Sequence, residues 1–146
     1  MSSKWTLDMA AMQEDFFADT ALVGIVSSLP IYKLCWMLNH RFDTQFVRDM
    51  DLDVCLDENA EQKNYFPIYS YCTPLNGSRY LIYKLKNNKE SLLPEIKQMD
   101  YLWLIQSNAS EEEALVISQY LRDIPDIQMA QILTVDKLKN INCLLI

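Results

Sequence analysis

The sequence predicts an α+β domain: an antiparallel or mixed sheet with two helices on one face. The order is β-α-β-(hairpin)-β-α-β, a variant of the ferredoxin-like arrangement. Three observations predict it. The unbroken apolar run Tyr101-Leu102-Trp103-Leu104-Ile105, bounded by Ser107, Asn108 and Ser110, reads as a central strand. Two apolar segments joined through Asn76-Gly77 read as a hairpin, since both residues tolerate the positive φ of a type I′ turn. Two stretches, after Pro30 and after Ser110, place apolar residues at helical spacings of three and four. None of these fixes the strand order.

The elements follow in order. Residues 1–19 are polar and acidic with scattered Trp5, Leu7, Met9, Met12, Phe16 and Phe17, and are expected to form an arm that docks on the domain. Residues 20–146 form the single α+β domain. Its first strand is the β-branched run Thr20–Ser27. Ser28 is placed to cap the next helix and Pro30 suits its first turn, where a missing N–H costs nothing. That helix, residues 30–41, buries Ile31, Leu34, Cys35 and Leu38. Residues 45–56 alternate Phe46, Met50, Leu52 and Val54 with Asp49, Asp51 and Asp53, a period of two that predicts a half-buried strand. A charged loop covers residues 57–64. The hairpin strands are residues 65–73 and 78–86, and Pro94 belongs at a turn or strand edge. Ser110-Glu111-Glu112-Glu113 predicts a capping box, with carboxylates at the positive end of the second helix. Ala114, Ile117, Leu121 and Ile124 are its buried stripe. Residues 127–135 read as a further strand, Asp136 as the cap of a single turn, and residues 142–146 as a short terminal strand.

A chain of 146 residues, half of them hydrophobic and 23% charged, buries a substantial core within one domain. Only Gly24 and Gly77 are glycines, which excludes the glycine-rich loops that cradle nucleotide phosphates. A formal charge of −7 weighs against nucleic acid or an anionic membrane as partner. No apolar run approaches the roughly 20 residues of a membrane span. The start of the chain has no basic region followed by an apolar one, so a cytoplasmic protein is expected. Cys35, Cys55, Cys72 and Cys143 lack the close pairs of a zinc site and read as small buried hydrophobes. No cofactor or metal is expected.

Leu93-Pro94-Glu95, three intervening residues, and then Met99-Asp100-Tyr101 resemble the signature of the IPExxxVDY family, small Bacteroidetes proteins of unassigned function. Leu93 replaces the signature isoleucine and Met99 its valine, each apolar for apolar. Residues 31–39, IYKLCWMLN, resemble the family's first helix. The resemblance covers most of the chain and implies a cytoplasmic protein, with no catalytic residues to carry over.

A two-residue turn at Asn76-Gly77 would pair Leu75 with Ser78, Thr73 with Tyr80 and Tyr71 with Ile82. Ile68, Cys72, Leu81, Tyr83 and Leu85 then share one face, suited to helices, together with Leu102 and Leu104. Tyr69, Tyr71, Tyr80, Tyr101 and Trp103 share the other, with Asp49, Asp51 and Asp53 beside them. An uncovered aromatic face of this size is a candidate interface for a homodimer or another protein partner. The alternatives are a face covered by the N-terminal arm, or a base-stacking platform, which lacks the basic patch and RNP-type motif it would need.

The remaining motifs carry less chemistry. Asp49, Asp51 and Asp53 mimic a calcium loop, but its sixth and twelfth positions hold Val54 and Ala60, so a solvated strand face is the reading. Glu95 and Asp100 read as structural carboxylates that accept backbone N–H groups, or less readily as an acid/base pair. His40 suits a helix C-terminus. Its pairing with Cys35 as a dyad fails, because five residues place the two roughly 140° apart on a helix. Ser27 and Ser28 suit a cap, or a small anion at the helix start. The expected function is therefore non-catalytic: protein interaction or self-association through the aromatic face, with small-molecule sensing as the alternative. A ligand would sit at residues 28–30 or beside Glu95 and Asp100.

Overall fold

The computed structural model describes residues 19–55, 65–73, 77–87 and 90–134. The expected arm, the loop at 57–64, Asn76, Cys143 and the terminal strand at 142–146 lie outside the described residues. Strand β1 (Thr20–Ser27) leads into α1 (Ile31–Phe42) and then a two-residue strand β2 (Val47–Arg48). A 3-10 turn (Met50–Leu52) and the short strands β3 (Val54–Cys55) and β4 (Tyr65–Phe66) precede the hairpin β5 (Ile68–Cys72) and β6 (Arg79–Lys84). After β7 (Lys86–Asn87), β8 (Glu90–Ser91) and a 3-10 turn (Pro94–Ile96) come β9 (Tyr101–Gln106), α2 (Ser110–Arg122) and β10 (Ile127–Leu133).

Six strands form the main sheet in the order β10-β1-β9-β6-β5-β2, with every neighbouring pair antiparallel. The α+β class with two helices is as expected. Strands β9 and β10 flank β1 and both oppose it, so they run parallel to each other with α2 crossing between them. Two-residue pairs β3-β4 and β7-β8 lie outside this sheet.

Helices α1 and α2 pack on the aromatic side of the sheet, which reverses the expected assignment. Tyr80, Tyr101 and Trp103 are 9%, 4% and 0% exposed, in one cluster with Leu34 and Leu38 of α1 and Ala114, Ile117 and Leu121 of α2. Tyr69 and Tyr71 are half-buried against the same cluster. Trp103 lies at its centre, with ring centroids 5.5 Å from Phe42, 5.3 Å from Phe46 and 5.8 Å from Tyr80 in edge-on contacts. Such aromatic contacts each add about 0.5–1.5 kcal/mol beyond area burial.

The opposite face is apolar too, and it is also covered. Leu22, Ile68, Leu81, Tyr83, Leu102 and Leu104 pack with Phe66 of β4 and with Leu92, Leu93, Ile96 and Met99. Leu93 and Met99, the apolar positions of the signature, are fully buried there. The candidate interface of Tyr69, Tyr71, Tyr80, Tyr101 and Trp103 is thus the core beneath the helices. The physical reason is that alternation separates the two faces of a strand without saying which one the helices take.

Other differences are local. Tyr71 pairs with Tyr80 and Tyr69 with Ile82, and the Thr73 N–H bonds to the Ser78 carbonyl, so the hairpin loop has four residues rather than two. The register moves by two, which leaves every side chain on its expected face. Gly77 takes the positive φ of 68° that its place in the turn requires. Residues 45–56 are not one strand. The Asp49 carboxylate accepts the Asp51 N–H (3.2 Å) and folds the chain into the 3-10 turn, an Asx-turn competing with the ladder.

Neither expected helix cap forms. At α1 the Ser27 hydroxyl, rather than Ser28, accepts the Leu29 N–H (3.2 Å), and Pro30 is the N-cap. At α2 the N-cap is Ala109, because the Glu113 carboxylate is drawn inward to accept from Tyr80 Oη (2.8 Å) and from the Ser107 hydroxyl. Of the described cysteines only Cys35 is buried; Cys72, at the end of β5, is exposed.

Two substitutions test this placement. Trp103→Ala should cost about 3–5 kcal/mol in urea unfolding, as for a buried aromatic. Tyr80→Glu, harmless on an open face, should cost about 3 kcal/mol or more by setting a second carboxylate beside Glu113.

Candidate functional site

Asp100 and Tyr101 stand where β9 begins, next to the turn that links β1 to α1. The Asp100 carboxylate accepts the Ser27 N–H (3.0 Å) through Oδ2 and pairs with Lys86 Nζ (3.2 Å) through Oδ1. Its backbone is used as well: its N–H bonds to the Ile25 carbonyl (2.8 Å), and its carbonyl accepts from Leu85 (3.0 Å). Tyr101 Oη donates to the Leu29 carbonyl. The Ser27 hydroxyl donates to the Asp126 carbonyl (2.8 Å), tying the same turn to the start of β10. These bonds satisfy groups of an irregular turn that the ladder cannot reach.

The turn and the signature enclose a cleft of about 330 Å³ lined by Ser27, Ser28, Leu29, Pro30, Lys84, Lys86, Asp100 and Tyr101. Two stretches singled out in the sequence, residues 28–30 and Asp100-Tyr101, therefore meet in one place. Glu95, in the 3-10 turn, is half-buried and does not line the cleft. The two signature carboxylates do not form an acid/base pair at this site.

The charge of the cleft is cationic on balance. Lys86 is neutralised by Asp100, whereas the Lys84 ammonium makes no ion pair among the described residues. The first turn of α1 carries no acidic residue to offset it. Burial, then the Asp100 charge, raises the Tyr101 phenol to about 12, so it is a neutral hydrogen-bond donor. Neither Lys84 nor Lys86 was singled out as a site residue from the sequence. Their signal was a basic pair spaced by two around a buried Leu85, with both side chains directed to one side.

The other motifs sit apart from the cleft. Asp53 pairs with Arg48, and Asp49 is committed to its own turn. Among the described residues no group of three His, Cys, Asp or Glu side chains is placed to hold a metal. His40 lies in the last turn of α1; its Nδ1 donates to the Trp36 carbonyl (3.0 Å) and its ring stacks on Trp36 at 4.1 Å. Burial pushes the Cys35 thiol up to about 12, which leaves it unreactive at neutral pH. A second cavity, about 400 Å³ at the start of α2, is lined by Asp19, Glu111 and Glu112 among others and is open to water. Among the described residues no helix is long and apolar enough to cross a membrane. Comparison with family models, curated proteins and solved structures finds no match.

Asp100→Ala should destabilise by about 1–3 kcal/mol, because the Ser27 N–H loses its acceptor, and Asp100→Asn by less; urea unfolding ranks the two. At high pH the sign follows from raised pKa values. Cys35 and Tyr101 hold their protons more tightly when folded, against ordinary values of 9.0 and 10.0. Their stabilisation is complete below about pH 9 and declines as the pH climbs toward 12, at up to about 1.4 kcal/mol per pH unit per proton. Cys35→Ala should flatten the decline between pH 9 and 10. Superimposable wild-type and variant curves there would rule Cys35 out as its source.

Proposed function

We propose that the protein is a non-catalytic binding domain that holds a small organic anion, a carboxylate or phosphate ester, in the cleft between the start of α1 and Lys84. The observation that carries this is the Lys84 ammonium, which makes no ion pair among the described residues, in a cleft of about 330 Å³ between two stretches separated by some 70 residues of sequence. Leu29, Pro30 and Tyr101 supply the apolar wall that an organic anion needs beside its charged contact. Catalysis by Glu95 and Asp100 has less support, since both Asp100 oxygens are committed to protein donors.

The same reading keeps the chain as a cytoplasmic relative of the IPExxxVDY family, carried by residues 93–101. It treats the strand order β10-β1-β9-β6 as a ferredoxin-like core extended by β5 and β2. Protein interaction through the aromatic face loses its support with that face buried.

A thermal-shift panel of inorganic phosphate, phosphate monoesters, and mono- and dicarboxylates tests the proposal. A true ligand at 100 times its Kd adds about 2.7 kcal/mol of apparent stability. The shift should vanish in Lys84→Ala and persist in Lys97→Ala, whose lysine lies outside the cleft. A panel without any shift, or a shift that survives Lys84→Ala, would overturn it.

A further inference from the structure

The two lysines of the cleft are built as a pair. Lys84 and Lys86 stand two positions apart, and Leu85 between them is buried on the opposite face of the sheet. Extended backbone sets such positions about 7 Å apart and turns both side chains to one side. Asp100 fixes this segment twice. Its carbonyl accepts the Leu85 N–H (3.0 Å), and its Oδ1 accepts from Lys86 Nζ (3.2 Å). Asp100 is itself held, since its Oδ2 accepts the Ser27 N–H (3.0 Å) and its own N–H bonds to the Ile25 carbonyl (2.8 Å). An ammonium carries three N–H donors. Among the described residues Asp100 is the carboxylate that engages Lys86, and Lys84 engages none, so both lysines keep donors for a ligand.

We propose that the cleft selects dianions, with Lys84 and Lys86 each taking one of the two negative charges of a single small molecule. This rests on the reading of the cleft as an anion site and narrows it to one class, a phosphate monoester or a short dicarboxylate. A monoanion is satisfied by Lys84 and leaves Lys86 to Asp100. A second charge on the ligand meets the donors that Asp100 leaves unused, and the bond between Asp100 and Lys86 stays intact. That bond presents Lys86 before any ligand arrives, so less side-chain freedom is lost on binding. A volume of about 330 Å³ lies at the small end for ligand sites, which keeps the apolar part of the molecule short against Leu29, Pro30 and Tyr101.

Isothermal titration calorimetry of the full chain with two matched pairs tests this: methyl phosphate against dimethyl phosphate, and succinate against succinamate. The buffer is held near pH 8, above the second pKa of a phosphate monoester at about 6. Within a pair the molecules differ by one negative charge and little in size, and the two pairs tell a phosphate ligand from a carboxylate one. In at least one pair the dianion should bind about tenfold tighter or more, the gain of one charge-assisted hydrogen bond. Lys86→Gln, with circular dichroism unchanged, should bring that ratio to within about threefold of unity, whereas Lys97→Gln, outside the cleft, should preserve it. Equal affinities within both pairs, with binding still lost in Lys84→Ala, would overturn the selection of dianions and leave the anion site standing. A ratio that survives in folded Lys86→Gln would overturn it as well. Absence of binding by all four molecules would overturn the anion site and the selection together.

Discussion

Burial of β9 on both faces is the constraint the rest of the structure depends on. Tyr101 to Ile105 are all buried, so no residue of this run can be assigned to water. A strand buried twice needs two covers and a neighbour on each side. Helices α1 and α2 meet Tyr101, Trp103 and Ile105, while residues 92–99 and Phe66 lie over Leu102 and Leu104. Strands β1 and β6 close the ladder on its flanks. The segment that reaches β9 is therefore a layer of the fold rather than a connection, and this gives Leu93 and Met99 their place.

Much of this was legible. The apolar run, both helices and the hairpin could all be read from the residues, and every hairpin side chain is on its expected face despite a two-residue shift in pairing. Which face receives the helices was not legible, because both faces are apolar and a period of two is symmetric between them. A clue lay in β9 itself: an unbroken run such as YLWLI is what burial on both faces writes, whereas a one-sided strand alternates. The sequence reading used the run to find the strand but not to count its covers. The failures at residues 49–53 and Glu113 share another cause. In each, a polar side chain that could serve the expected element instead satisfies a nearer or more deeply buried group.

Asp100 and Tyr101 illustrate how one pair of residues sets both stability and the shape of a site. Asp100 is held by the ladder through its backbone and holds Ser27 through its carboxylate. Tyr101 is held in the core by its ring and holds Leu29 by its hydroxyl. The turn before α1 is thus positioned from β9, far away in sequence, and Lys84, whose position pairs with Tyr101 across the ladder, comes to the same place. Neither half of the cleft could be inferred from the other. Spacing along the chain carries no information on contacts made through a sheet.

Charge is spread unevenly over the described surface. The chain is acidic overall, so a locally cationic cleft and an uncharged strand edge are departures from its own average. The cleft stays cationic because Asp100 neutralises one lysine and leaves the other. The residues of β10 itself carry no charge, and the charge that guards the strand comes from α2, through Arg122 bonded to the Ala130 carbonyl. The buried aromatics have no such role; their contribution is the rigid floor on which α1 and α2 rest. The aromatic face of the sheet is covered, whereas Tyr32, Trp36 and Tyr120 on the helices stay exposed, so the described surface varies in hydrophobicity as well as in charge.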